Sequence, residues 1–191
     1  MNETVVNDAI IYIRELFAAN ADGHDAEHSL RVFRNAALIA DAYPEADLTI
    51  ISLSALLHDA DDHKLFQTEH NENARRFLES KELFSDQIER ICDVINSVSF
   101  SKNRGSRPTS IEGEIVQDAD RLDAIGAIGI ARTFAYGGSH GRTLQSSIEH
   151  FYDKLLLLRD LLNTEKAKEI AQSRHAFMEQ FLAQYESESK V

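Results

Sequence analysis

The stretch Ile50-Ile51-Ser52-Leu53-Ser54-Ala55-Leu56-Leu57-His58-Asp59-Ala60-Asp61-Asp62-His63-Lys64 joins an apolar run to a polar one. Residues 50–57 are typical of a buried helix, whereas six of the next seven residues are polar. Burying an imidazole beside a carboxylate is costly unless the pair is hydrogen-bonded or holds a cation. Either His58 and Asp59 point into one site at the end of this helix, or they form a solvated acidic cap. The dipeptide alone favours the cap.

Composition limits the class of protein. The chain has 191 residues, enough for one good core and short for two domains. Its formal net charge of −12 argues against nucleic-acid polymers and anionic membranes as partners. One cysteine, Cys92, excludes an internal disulfide and fits a reducing cytoplasm. We find neither a basic leader of a signal peptide nor an apolar run near the ~20 residues of a membrane span. We therefore expect one cytoplasmic domain over residues 1–191, of unknown oligomeric state.

Apolar residues recur at helical spacing along the chain, and no segment alternates with a period of two. The predicted helices cover residues 3–19, 26–43, 47–58, 69–80, 84–98, 111–134, 144–162 and 164–185, with polar breaks at 99–110 and 136–141. The expected core stripes include Ile88, Ile91, Val94, Ile95 and Val98, then Ile148, Phe151, Leu155, Leu158 and Leu162, and finally Phe177 and Phe181. The sequence therefore predicts an all-α fold, a single helical bundle.

Three polar patches interrupt helices that otherwise look buried. The first contains His28, on the same helical face as Arg31 and Val32. The second is His58-Asp59, and the third is residues 117–123, with three carboxylates at positions 118, 120 and 123. Three carboxylates within six residues of a core helix repel one another unless a cation gathers at least one of them.

The order His28, His58-Asp59, Asp120 resembles the H…HD…D pattern of the HD superfamily of metal-dependent phosphohydrolases. The motifs that carry the resemblance are His28-Ser29-Leu30-Arg31-Val32, His58-Asp59-Ala60-Asp61-Asp62-His63-Lys64 and residues 118–132, and small stand-alone bacterial HD proteins have all three. The resemblance implies a metal held by His28, His58, Asp59 and Asp120. It places the metal-binding core at about residues 20–142, with C-terminal helices at about 144–185.

Two imidazoles and two carboxylates suit Mn²⁺, Fe²⁺, Co²⁺, Ni²⁺ or Zn²⁺, with Mg²⁺ possible, and leave open positions in an octahedral shell. A divalent metal acidifies a bound water and polarises a phosphoryl oxygen. Asp62, three residues beyond Asp59, is placed to orient or deprotonate that water, and Lys64 is placed to meet a phosphate oxygen. The family pattern implies the same two roles.

The neighbouring polar residues each have two interpretations. His24 is an extra ligand, a substrate contact or a capping residue, while Asp118 and Asp123 compete with Asp120 for the metal. The resemblance favours the aspartate that precedes Arg121, and Asp123 instead pairs with Arg121 or Arg132. We expect Asp61, His63 and His70 to face solvent. Two basic loops either bind a phosphorylated substrate or are solvated; their residues are His140 with Arg142, and Lys102, Arg104 and Arg107.

The sequence thus predicts a phosphohydrolase acting on a small phosphate ester or anhydride, plausibly a nucleotide. Arg31, Arg121, Arg132 and His140 are candidates for phosphate contact, and the three arginines are alternatively candidates for supporting the ligands. Two other functions stay open. A di-iron oxygenase would need more histidines at the site than the pattern supplies, and a nucleotide sensor would keep the metal without turnover. The presence of Asp62 and Lys64 argues against the sensor.

Overall fold

The computed structural model describes residues 3–18, 25–99, 103 and 106–189. Within these ranges the chain forms helices and turns without a β-strand, which confirms the all-α prediction. The helices are α1 (Glu3–Leu16), α2 (Ala26–Ala40), α3 (Leu48–Leu57), α4 (Glu72–Ser80), α5 (Ser85–Val98), α6 (Ile111–Asp123), α7 (Gly126–Ser139), α8 (Leu144–Asp153) and α9 (Glu165–Glu188), with a 3-10 helix at Leu155–Leu161. No helix in the described ranges is long and apolar enough to cross a membrane.

The chain divides into two compact units, one ending at Asp120 and the other beginning at Arg121. In the first unit α3 is the central helix, since it packs against α1, α2 and α5. All eight residues from Ile50 to Leu57 are buried, as the apolar run predicts. The Asp47 side chain accepts hydrogen bonds from the backbone N–H groups of Thr49 and Ile50 and so starts this helix. His58 therefore directly follows a run of eight buried residues, which fixes where its backbone lies.

The second unit packs α7 against α8 and α9, with the 3-10 helix against α8 and α9. Phe134, Phe151 and Phe181 form its aromatic cluster, with ring centroids 5.8–6.1 Å apart. The end of α6 is held within this unit by two arginines. Arg174 donates to the Leu122 carbonyl at 2.7 Å, and Arg132 binds the Asp123 carboxylate at 2.6 Å.

Four predicted features of the second half are wrong. The helix expected over residues 111–134 is two helices, because Gly126 has φ +76° between them. The helix expected over 144–162 gives way at Lys154 to a 3-10 helix, and the break expected at 136–141 comes only after Ser139. Phe177 is 49% exposed, since the buried stripe of α9 consists of Ala167, Ala171, His175, Met178 and Leu182. The other predicted stripes, in α5 and from Ile148 to Leu162, are buried as expected.

Candidate metal centre

His28 is fixed at the first turn of α2. The Asp25 side chain accepts a hydrogen bond from the His28 backbone N–H at 2.8 Å, which caps the helix. The imidazole of His28 is buried, with 3% of its side chain exposed. A helix cap and a buried ring together hold His28 in one orientation.

His58 is the residue that ends α3. Its Nδ1 lies 2.9 Å from the carbonyl oxygen of Ala55, one turn back in the same helix. Because a carbonyl oxygen can only accept, Nδ1 carries the hydrogen, and a neutral His58 therefore has its lone pair at Nε2. A histidine that binds a metal usually donates its other ring N–H to a carboxylate, a backbone carbonyl or a water, and the Ala55 carbonyl is such a partner.

Four side chains converge at these two rings. The Nε2 atoms of His28 and His58 are 3.2 Å apart, and Asp59 Oδ2 lies 3.5 Å from the first and 3.4 Å from the second. Asp120 Oδ1 lies 3.4 Å from His28 Nε2 and 4.0 Å from His58 Nε2. The ligand atoms of His28, His58 and Asp120 all lie within 4.8 Å of one another. The imidazoles are buried, whereas Asp59 and Asp120 are 15% and 25% exposed, so the cluster opens to solvent on its carboxylate side.

The spacing and chemistry of these atoms fit a divalent metal. Two ligand atoms that each lie ~2.1 Å from one metal ion, with a right angle at the ion, are ~3.0 Å apart. This is close to the shorter separations in the cluster. Without an ion, two imidazole nitrogens facing each other at 3.2 Å need a shared proton, and two carboxylates need positive charge. Burial alone raises the pKa of Asp120, but the hydrogen bond from His28 and the charges of His28 and His58 outweigh it and hold that pKa below its ordinary value.

The other two aspartates of α6 lie elsewhere. Asp118 is fully buried and is absent from the cluster, about 200° around the helix from Asp120. Asp123 pairs with Arg132, one of the two partners that the sequence allows. Arg121 is 3% exposed and donates from Nη1 to the Leu161 carbonyl. Arg121 and Arg132 therefore hold the second unit together around the end of α6.

The side chains of the turn after Asp59 accept backbone hydrogen bonds that the sequence does not predict. The expectation that Asp61 faces solvent is wrong, because its two carboxylate oxygens accept the backbone N–H groups of Asn73 and Ala74 at 2.9 and 3.1 Å. Asp61 thereby caps α4 from a distance. Asp62 Oδ1 accepts the Lys64 N–H at 2.8 Å, and the Lys64 side chain is exposed.

Each of the other predicted residues that the structure describes has its own surroundings within its unit. Arg31 is half-buried one turn beyond His28, and His63 and His70 are exposed as predicted. His140 is exposed and stacks on Tyr136 with the ring centroids 3.9 Å apart. Arg107 binds Glu114 at 2.6 Å. His24, Lys102 and Arg104 lie outside the described residues.

Two buried asparagines that sequence reasoning missed bind the backbone beside the cluster. Asn35 in α2 donates to the Ala119 carbonyl at 3.2 Å, and Asn73 in α4 donates to the Ala60 carbonyl at 2.9 Å. A signal for Asn35 exists in the sequence: it is the one amide among the buried positions Val32, Ala36 and Ile39 of α2.

Known proteins share this arrangement of sequence and fold. The chain is 40% identical to the uncharacterized protein YpgQ of Bacillus subtilis over 186 residues, covering 93% of this chain and 90% of YpgQ. The crystal structure of Bacillus subtilis YpgQ in complex with ADP superposes with a TM-score of 0.82 at 37% identity, covering 96% of this chain and 97% of that one. An HD-superfamily hydrolase from Bacillus thuringiensis also has a TM-score of 0.82, at 36% identity, with both chains fully covered. Residues 25–125 match the HD domain family. The chain therefore belongs to the HD domain family.

Proposed function

We propose that the chain is a metal-dependent phosphohydrolase that acts on a nucleotide or a similar small phosphate compound. The observation that carries this proposal is the convergence of His28, His58, Asp59 and Asp120, in which two imidazole nitrogens face each other at 3.2 Å. In this proposal those four residues hold one divalent metal. When bound, the metal supplies a site where water is acidified and a phosphoryl oxygen is polarised.

The choice of a phosphorylated substrate is supported by the relatives. The Bacillus subtilis YpgQ structure is a complex with ADP, and the Bacillus thuringiensis relative is named a hydrolase. A net charge of −12 does not oppose a small anionic substrate, since a metal and a few nearby cations can reverse the local field. We propose Arg31 and His140 as substrate contacts, and a supporting role for Arg121 and Arg132 because both guanidinium groups already bind within the second unit.

We assign proton transfer to Asp62 and phosphate binding to Lys64. Asp62 lies three residues beyond Asp59, and its side chain is 13% exposed. Its Oδ1 accepts a hydrogen bond from the Lys64 N–H, and we assign to this carboxylate the role of accepting a proton from the attacking water. The exposed ammonium of Lys64 acts as a point charge for a phosphate oxygen.

Product release tests the reaction class. Metal-stripped protein is loaded with each of Mn²⁺, Co²⁺, Ni²⁺, Zn²⁺ and Mg²⁺, and orthophosphate and pyrophosphate are measured with nucleoside mono-, di- and triphosphates and with sugar phosphates. We expect release that depends on the added metal and is lost in Asp59→Ala. Metal binding without any release would favour the sensor, and the absence of metal binding would contradict the proposed site.

Two substitutions test the assigned roles. Asp62→Asn keeps an oxygen for the Lys64 N–H and removes the base, so we expect kcat to fall by about 10²–10⁴-fold with metal content unchanged. Lys64→Ala should raise KM as well as lower kcat. Gln67→Ala, an exposed residue three positions beyond Lys64, is the matched control and should keep normal turnover. Near-normal turnover in both variants would remove this mechanism, and loss of metal in Asp62→Asn would make Asp62 a ligand.

A further inference from the structure

Each carboxylate of the candidate centre lies one residue from a hydrogen bond made by a buried asparagine. The acceptor of Asn35 is the carbonyl of Ala119, which directly precedes Asp120. The acceptor of Asn73 is the carbonyl of Ala60, which directly follows Asp59. Both asparagines are less than 9% exposed, and both alanines are fully buried.

These hydrogen bonds join separate elements of the first unit. Asn35 connects α2 to α6 across 84 residues, and Asn73 connects the start of α4 to the turn that follows α3, across 13 residues. Apolar contacts have no direction and tolerate small sliding, whereas a hydrogen bond weakens steeply when its distance or angle changes. A buried amide also loses free energy when it is unpaired. One hydrogen bond from a side-chain amide in an apolar interface therefore selects one relative position of the two backbones.

The position of Asn35 relates this bond to His28. Asn35 follows His28 by seven residues, which places both on nearly the same face of α2, about 10.5 Å apart along its axis. Asp120 and Ala119 are adjacent on α6. The bond from Asn35 to Ala119 thus sets the separation of α2 and α6 over which His28 Nε2 and Asp120 Oδ1 come to lie 3.4 Å apart.

We propose that Asn35 and Asn73 are positioning residues that hold Asp120 and Asp59 at ligand distance, an inference that rests on the proposed metal site. They touch neither metal nor substrate and act through the backbone beside each carboxylate. Metal sites require ligand distances within about 0.2 Å, and losing an outer partner typically weakens binding by about 10- to 100-fold.

The test replaces each amide by leucine, which has nearly the same shape and lacks the donor. The affinity of metal-stripped Asn35→Leu and Asn73→Leu for Mn²⁺ alone is measured by calorimetric titration. Two controls are matched to them. Asn103→Leu removes an exposed hydrogen bond, 2.8 Å long, from a side-chain amide to the Asn96 backbone carbonyl. Ile13→Val removes one buried methyl group from α1. We expect at least a tenfold rise in the Kd for Mn²⁺ in the two test variants and less than a twofold change in both controls.

Crystal structures of the metal-free variants supply a second readout that does not depend on the metal. In Asn35→Leu we expect the distance from His28 Nε2 to Asp120 Oδ1 to change by more than about 0.5 Å, and in Asn73→Leu the distance from His58 Nε2 to Asp59 Oδ2. Unchanged distances overturn the proposal, as does an unchanged Kd in variants that bind Mn²⁺. If the wild-type protein binds no Mn²⁺, the metal site fails while the distances still decide the role of the asparagines. Asn35→Ser and Asn73→Ser, too short to reach the alanine carbonyls, replace the leucine variants if those do not fold.

Discussion

Asp59 and Asp61 stand two residues apart in the same turn, and we predict that their removal has opposite consequences. Asp61 accepts two backbone N–H groups at the start of α4, from Asn73 and Ala74. Asp59 instead lies within 3.5 Å of both imidazole nitrogens of the candidate centre. Asp61→Ala should therefore destabilise the fold and keep the metal, whereas Asp59→Ala should lose the metal.

The magnitude for Asp61 follows from its two bonds. Asn71, the residue at the N-cap of α4, has a left-handed backbone and makes no side-chain cap bond, so Asp61 supplies the capping carboxylate. Losing a cap costs about 1–2 kcal/mol, and the negative charge adds to it through the helix dipole. For a chain of 191 residues, each kcal/mol lowers Tm by about 2–4 °C, so we expect a fall of about 2–8 °C. Asp61→Asn keeps one acceptor oxygen and should lose less.

Thermal unfolding followed by circular dichroism measures the first effect, and elemental analysis of the same samples measures bound metal. The wild-type protein should carry about one transition-metal ion per chain. An unchanged Tm in Asp61→Ala would refute the distant cap. Full metal occupancy in Asp59→Ala would refute the ligand assignment, and equal metal loss in both variants would show that the turn acts as one unit.

Two other pairs of substitutions are informative. Asp120→Asn should lose metal and activity while Asp118→Asn keeps the metal, because only Asp120 joins the cluster; the reverse result in elemental analysis would place the ligand on the other face of α6. Gly126→Ala should lower Tm, since φ is +76° and a Cβ would lie 3.0 Å from the Arg174 side chain. Gly138→Ala, in the same helix, would place its Cβ in open space. We expect it to leave Tm unchanged or to raise it, because replacing glycine by alanine can stabilise the fold by about 0.4–1 kcal/mol. A larger loss of Tm at Gly138 than at Gly126 in differential scanning calorimetry would contradict this reading.

Local patterns predicted the first five helices because each has its own apolar stripe or, in α3, a continuous apolar run. Prediction failed where backbone conformation decided the outcome. The sequence shows a glycine at position 126 but does not show that its φ is positive. The side chain nearest to it, Arg174, comes from α9, so its surroundings exist only in the folded chain. Gly137 looked like a loop residue, yet it lies in α7 where a Cβ would meet Ser147 Oγ at 2.5 Å. The sequence alone does not distinguish a glycine that permits close packing, such as Gly137, from one that begins a new helix with a positive φ, such as Gly126.

The order of polar motifs predicted the candidate site, since His28, His58 and Asp120 do lie together as the resemblance implies. Their supporting residues could not be predicted in the same way. Asp61 and Asn73 act through hydrogen bonds between segments that only the folded chain brings together. Asp61 also stands in a run of acidic residues, where solvation is the simplest interpretation of a carboxylate. The backbone groups that it satisfies belong to a helix that begins eleven residues later.

The contact between His58 Nδ1 and the Ala55 carbonyl has a consequence for the kinetics of folding. Its two partners are three residues apart, so one half of the candidate centre is oriented as soon as the end of α3 is helical, an event of microseconds or less. Asp120 follows Asp59 by 61 residues and can join only after a long loop has closed, which is the slow part of folding. Metal added during refolding should therefore bind weakly at first and tightly only once α6 has packed, and its uptake would mark the completion of the first unit.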